Sequence, residues 1–118
     1  MRVIVSGAVA WADVEAIRRE LAQLPSGSTV IHGDCTGADA IAGQIAGDLG
    51  FAVEPMDKSP EDYAKYRHVA WKGLNERMLE SGAALVLVFH PDIDASHGSK
   101  HMRDLAHAVN VEVRVFAA

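Results

Sequence analysis

Short apolar runs alternate along this chain with segments whose apolar residues recur every three or four positions. Val3-Ile4-Val5 is a continuous apolar run closed by Ser6-Gly7, which predicts a buried strand over Arg2–Ser6 entering a tight turn. From Asp13 to Leu24, Val14, Ile17, Leu21 and Leu24 share one helical face, and Arg18, Arg19 and Glu20 fill the other. Asp13 has the chemistry of an N-cap, and Pro25-Ser26-Gly27 stops the helix. Ser28–His32 reads as a second strand. Ile41, Ile45 and Leu49, four residues apart, predict a helix over Gly37–Leu49 ended by Gly50. Phe51–Glu54 is a third short strand. Ser59-Pro60-Glu61-Asp62 marks a helix start, with a capping hydroxyl, proline in the first turn and acids at the positive end of the dipole. That helical stretch extends to about Glu80 as one helix or two, with Gly73 as the expected interruption. Leu85–Phe89, the most apolar run, predicts a central strand, followed by a helix over Ser99–Ala108 and a strand over Val111–Phe116.

Strands and helices alternate throughout, with no repeats, low-complexity tracts or linkers. The economical architecture is an α/β domain over residues 1–118: an open parallel sheet of about five strands with helices on both faces, joined by right-handed crossovers. Ligands of such sheets sit beyond the carboxyl ends of the strands, near the point where strand order reverses. Four segments are expected to meet there: Ser6-Gly7, His32–Asp39, His90–Asp94 and Gly98-Ser99.

Composition narrows the partners. A net charge of -5 with no Lys/Arg stripe argues against a nucleic-acid duplex. The single cysteine, Cys35, allows no internal disulfide, which suits a reducing compartment. No apolar stretch approaches the roughly 20 residues needed to cross a bilayer. The opening MRVIVSGAVAW is broken by Ser6-Gly7 and followed by Asp13 and Glu15, so it reads as a strand and not as a signal peptide. A cytoplasmic protein without membrane contact is expected.

The segment richest in chemistry is His32-Gly33-Asp34-Cys35-Thr36-Gly37-Ala38-Asp39, between a strand and a helix. Two glycines permit close backbone approach to a ligand, and a helix start offers N–H groups to a phosphate or carboxylate. The same residues equally suit a turn whose glycines serve backbone geometry, with Thr36 or Asp39 as cap. His90, His97 and His101 lie near Asp92 and Asp94, but Gly98-Ser99 is the better helix start and leaves His97 at or before the cap, so no metal site is expected. Cys35 reads as a spectator thiol. Trp11 and Trp71 are candidates for stacking on a base or for packing on the sheet. The aromatic and basic run Tyr63–His68 reads as a helix face at a subunit contact or pocket rim.

HGDCTGADAIAGQIA resembles the signature HG-x-x-x-GAD-x-x-A of the YspA-like branch of the SLOG superfamily, which also holds the LOG phosphoribohydrolases and the DNA-binding protein SMF. Trp11-x-Asp13 echoes the same family. Asn75-Glu76-Arg77-Met78 resembles its Asn-x-x-Met, and Gly98-Ser99-Lys100-His101-Met102 its Gly-Thr/Ser-x-x-Met. The resemblance implies a Rossmann-like fold, a nucleotide-derived small-molecule ligand and an association with bacterial genomes and phages; a homo-oligomer (dimer or tetramer) is expected. Together with the strand-end topology, the resemblance points to ligand contacts at Ser6, Gly7, His32, Gly33, Asp34, Thr36, Gly37, Asp39, Asn75, His90, Gly98, Ser99 and Lys100. Gly33, Gly37 and Gly98-Ser99 would cradle phosphate or ribose, Asp39 would orient a loop or accept a ribose hydroxyl, and Asn75 would offer its amide. No cofactor is expected.

Departures from the family pattern bear on charge and catalysis. Gly7-Ala8-Val9-Ala10 stands where Gly-Gly-Arg-Asp is usual, and Leu74 stands where an arginine commonly precedes the asparagine. Met102 occupies the position of the glutamate with which LOG hydrolases break the N-glycosidic bond, and a thioether is no general base. The expected function is binding, sensing or sequestration of a nucleotide- or nucleoside-derived molecule. A phosphoribohydrolase or N-glycosidase using Asp34 or Asp39, and a protein–protein adaptor with a degenerate pocket, are the alternatives.

Overall fold

The computed structural model describes all of residues 1–118. Five strands form one sheet: β1 (Arg2–Gly7), β2 (Thr29–His32), β3 (Ala52–Pro55), β4 (Leu85–Phe89) and β5 (Glu112–Phe116). They are all parallel, in the order β3-β2-β1-β4-β5. The helices between them are α1 (Val14–Leu21), α2 (Ala38–Asp48), α3 (Pro60–Tyr66), α4 (Trp71–Glu80) and α5 (Gly98–Ala108). This is the expected Rossmann-like α/β fold. Strand order reverses between β1 and β4, which are neighbours in space although β2 and β3 intervene in sequence. No helix is long and apolar enough to cross a membrane.

The two central strands are continuous apolar runs because both of their faces are covered. On one face Val3, Val5, Leu85, Leu87 and Phe89 pack with Ile17 and Leu21 of α1 and Ala42, Ile45 and Ala46 of α2. On the other face Ile4, Val86 and Val88 meet Leu74 and Met78 of α4 and Met102 and Ala106 of α5. Each fully buried Val, Ile or Leu side chain contributes about 1.5–3 kcal/mol of hydrophobic stabilisation. Alanines on the inner face of α2 let that helix sit close to β1 and β2. Trp11 closes the first core at its upper end, edge-on to Phe89, which in turn stacks on Phe116.

The segment after β3 differs from the sequence expectation. It forms two helices, and the break falls at Arg67–Ala70, with Arg67 in the left-handed region at φ 55°; α4 runs uninterrupted through Gly73. The reason lies in Asp62. Its carboxylate closes a capping box with Ser59, accepting from the Ser59 amide at 2.9 Å while Ser59 Oγ accepts from the Asp62 amide. It also pairs with the Arg77 guanidinium, which donates as well to the Asp57 carbonyl at 2.7 Å. The side chain lies directly on Gly73, where a Cβ would come within 2.3 Å of Asp62 Oδ1. Gly73 is thus the seat of a buried carboxylate, and the helix continues beneath it.

Arg77 first, against a smaller opposing effect of burial, holds the Asp62 carboxyl below the usual carboxylate range. Its contribution to stability is therefore present above the ordinary aspartate pKa and lost as pH falls through the lowered one. Gly73→Ala is expected to cost about 1–3 kcal/mol, since the new methyl displaces an anchored side chain. In an Asp62→Ala background the same change is expected to cost less than about 1 kcal/mol. Urea unfolding of the four proteins measures both values; equal costs in the two backgrounds would show that the carboxylate is not the obstacle.

Candidate functional site

A cleft of about 510 Å³ opens above the carboxyl ends of β1 and β4, at the reversal of strand order. Its floor is Val5–Gly7 of β1. One wall is the β1–α1 loop Ala8–Ala10, another the β2–α2 loop Gly33–Cys35 with Asp39. Leu74, Asn75 and Met78 of α4 face it beneath Trp71, and His90, Pro91, Ser96, Gly98 and Ser99 close the far side.

Nine of the thirteen expected ligand residues line this cleft: Ser6, Gly7, Gly33, Asp34, Asp39, Asn75, His90, Gly98 and Ser99. Four do not. The His32 ring turns onto α2, bonding its own loop through Nδ1 to the Gly33 carbonyl at 2.8 Å and lying where a Cβ on Gly43 would come within 2.5 Å of Nε2. Thr36 is exposed outside the cleft. Gly37 is spent on packing: φ is 72°, and a Cβ would stand 2.2 Å from the Val9 carbonyl oxygen and 2.4 Å from that of Ala8. Lys100 lies on a separate depression of about 300 Å³ with His97, His101 and Asp104.

Trp71 borders both hollows, whereas Trp11 is buried against Phe89. The three histidines have separate roles. His90 Nδ1 accepts from the Asp92 amide at 2.9 Å, so the proton of the neutral ring sits on Nε2. His97 is the N-cap residue of α5. His101 Nδ1 meets Asn75 Nδ2 at 3.0 Å, with Trp71 edge-on to its ring.

The polar groups of the cleft are mostly engaged with one another. Asn75 Nδ2 donates to the Gly98 carbonyl at 3.0 Å as well as to His101, so the asparagine ties α4 to the start of α5 and presents its oxygen, not the expected amide. Ser6 Oγ and Ser99 Oγ share a hydrogen bond of 3.0 Å across the floor. Asp34 accepts from the Lys58 amide at 3.0 Å and from Lys58 Nζ at 2.7 Å. Burial works to raise the Asp34 carboxyl, but the Lys58 contacts outweigh it and hold the group below the usual range. Lys58, in turn, is raised first by its bond to Asp34. Burial, followed by the charge of Asp39, pushes the Cys35 thiol up, which makes it a poor nucleophile at neutral pH.

Asp39 is the unusual group. Its side chain has no ion-pair partner and the residue is only 7% exposed. Burial pushes its carboxyl up to about 7, against the lowering effect of the Cys35 and Gly33 amides that face it. The loop's amides are thus turned toward the chain's own carboxylate. Lys58 was not marked by the sequence. It follows β3 and precedes a capping serine, and only the neighbouring of β3 with β2 brings it to Asp34; its place just past a strand's carboxyl end was the available signal.

A model of the YspA, cpYpsA-related SLOG family matches residues 1–63, which span β1 through the β2–α2 loop and most of α3. The chain belongs to this SLOG family. It is also similar to the Gene 61 protein of Mycobacterium phage D29, 30% identical over 120 residues, which covers 95% of this chain and 93% of that relative. The family match includes the whole HGDCTGAD loop of this SLOG protein, and the alignment with the phage protein extends over nearly its full length.

The raised Asp39 carboxyl couples stability to pH. The folded state retains a proton that the unfolded chain releases near pH 4, so stability falls as pH rises from about 4 through about 7. Asp39→Asn removes this slope. The variant is expected to gain on the order of 2–4 kcal/mol relative to wild type between pH 4.5 and pH 8. Denaturant unfolding at the two pH values checks it; parallel changes in both proteins would place the Asp39 carboxyl in the ordinary range.

Proposed function

We propose that this SLOG protein binds a small molecule derived from a nucleotide or nucleoside, in the cleft between the ends of β1 and β4. The observation that carries the reading is the convergence of the family's signature loop with Ser6, Asn75, His90 and Ser99 around one hollow at the reversal of strand order. A ligand site is expected at that place in an open α/β sheet, and the volume is that of a small-molecule pocket. Family membership supports the nucleotide-related class of ligand. In this reading Trp71 and the apolar wall of Leu74 and Met78 take a flat base, while Ser6, Asp39 and Ser99 face sugar hydroxyls. The bound molecule is, in this reading, sensed or sequestered and not turned over.

Met102 is fully buried in the core and offers nothing to the cleft, which favours binding over LOG-type hydrolysis. One observation favours a second reading. Asp39 titrates near neutrality within reach of a bound ligand, as a general acid in N-glycosidic cleavage would. Release of free base from nucleosides or nucleoside monophosphates, abolished by Asp39→Asn, would establish that reading.

Trp71 is a built-in reporter. Titration with nucleosides and nucleotides is expected to change its fluorescence and raise Tm for at least one of them. Trp71→Ala is expected to weaken that ligand about 10-fold, the scale of one lost stacking contact, with Trp11→Phe leaving its affinity within about two-fold. No response from any compound at about 1 mM, a free energy near -4 kcal/mol, would end the proposal.

A further inference from the structure

Resting on the reading just proposed, we infer that the cleft selects a ligand without a phosphate chain, an uncharged nucleoside-type molecule recognised through its hydroxyls and its base. A phosphate buried from water must be met by cations or by free N–H groups, and otherwise its desolvation opposes binding. The cleft provides no uncommitted cation. Its charged side chains are two acids, Asp34 and Asp39, and one base, Lys58. That base is already held by Asp34 through both its amide and its ammonium group. The nearby arginine of α4, Arg77, is taken by Asp62 and the Asp57 carbonyl.

The two helix starts at the cleft, where phosphates ordinarily sit, are partly engaged from within. At α2 the Ala38 amide donates to the Ala8 carbonyl at 3.2 Å, and the carbonyl oxygens of Ala8 and Val9 lie against Gly37. These oxygens carry partial negative charge into the position an anion would need. Beside them the amides of Gly33 and Cys35 face the Asp39 carboxylate. At α5 the Ser99 amide donates to Ser96 Oγ at 3.1 Å, and the Ser99 hydroxyl meets Ser6. What remains for a ligand beside the acidic Asp39 is neutral: the two serine hydroxyls, the Asn75 oxygen, the His90 ring N–H and the backbone amides of Val9, Ala10 and Gly98. This set suits a vicinal diol and the edge of a base. A phosphate would be placed beside Asp34 and two backbone carbonyls.

Calorimetric titration of the full chain with adenosine, guanosine, cytidine and uridine, each beside its 5′-monophosphate and 5′-triphosphate, tests the inference. At about 0.15 M salt the best nucleoside is expected to bind at least about 10-fold tighter than its own monophosphate, and the triphosphate to bind no tighter than that. Phosphates that equal or exceed the nucleoside overturn the inference while leaving the nucleotide-binding proposal standing; silence from both series overturns the two together. Asp34→Asn releases Lys58 and is expected to narrow the nucleoside-to-monophosphate ratio by about five-fold or more. Lys58→Met removes the cleft's one cation and is expected to widen it. Ratios unmoved in whichever of these variants folds would show that charge does not set the preference.

Discussion

The site depends on one close approach. The loop leaving β1 lies against the first residue of the β2–α2 connection that α2 can use as a start, with Gly37 in the left-handed region and the Ala8 and Val9 carbonyls where its side chain would otherwise be. Only glycine meets both demands, the backbone angle and the absent Cβ. This contact fixes the height of α2 above the sheet, aims Asp39 inward, and sets the distance between the two loops that wall the cleft. It also turns a feature that elsewhere grips phosphate toward the protein's own polar groups. The glycine-rich loop therefore shapes the hollow that Gly33, Asp34 and Asp39 line.

A second constraint supports the first from the opposite side. Asp62, Arg77 and Gly73 lock α3 to α4, and α4 supplies the apolar wall and Asn75, which in turn holds α5 by the Gly98 carbonyl. The rigid frame thus consists of neutral hydrogen bonds at the floor and, behind the wall, a buried carboxylate paired with a half-buried guanidinium. Breaking such a pair on one side leaves an uncompensated charge in the interior, which is far costlier than losing the pair whole.

Most of the fold was legible in the sequence because it is written in periods of two kinds. Continuous apolar runs marked β1 and β4, spacing of three and four marked α1 and α2, and Ser59-Pro60 marked the start of α3. The exchange at Gly73 was not legible, since a glycine inside a helical pattern looks the same whether it breaks the helix or seats a carboxylate eleven residues upstream. Eight of the nine cleft residues found from sequence sit at or just past strand ends or at helix starts, positions that topology alone sends to one edge; Asn75, inside α4, came from the family pattern. His32, Thr36, Gly37 and Lys100 occupy the same segments but face elsewhere, and side-chain direction within a loop has no periodic signal. Lys58 escaped for the opposite reason: its role is a tertiary pairing with Asp34, and nothing local distinguishes it from a solvated surface lysine.

One edge of the sheet constrains how copies of this chain can meet. The Met56 amide donates inward to the His32 carbonyl, so by the alternation of a strand the neighbouring position 55 directs its backbone outward. Pro55 stands there and has no N–H to give. A strand arriving from another molecule would find the ladder missing a rung beside the mouth of the cleft, and continuous sheet extension through β3 is blocked at that point. Of the two sheet margins, the one at β5 is thus the one without such a gap in its donors.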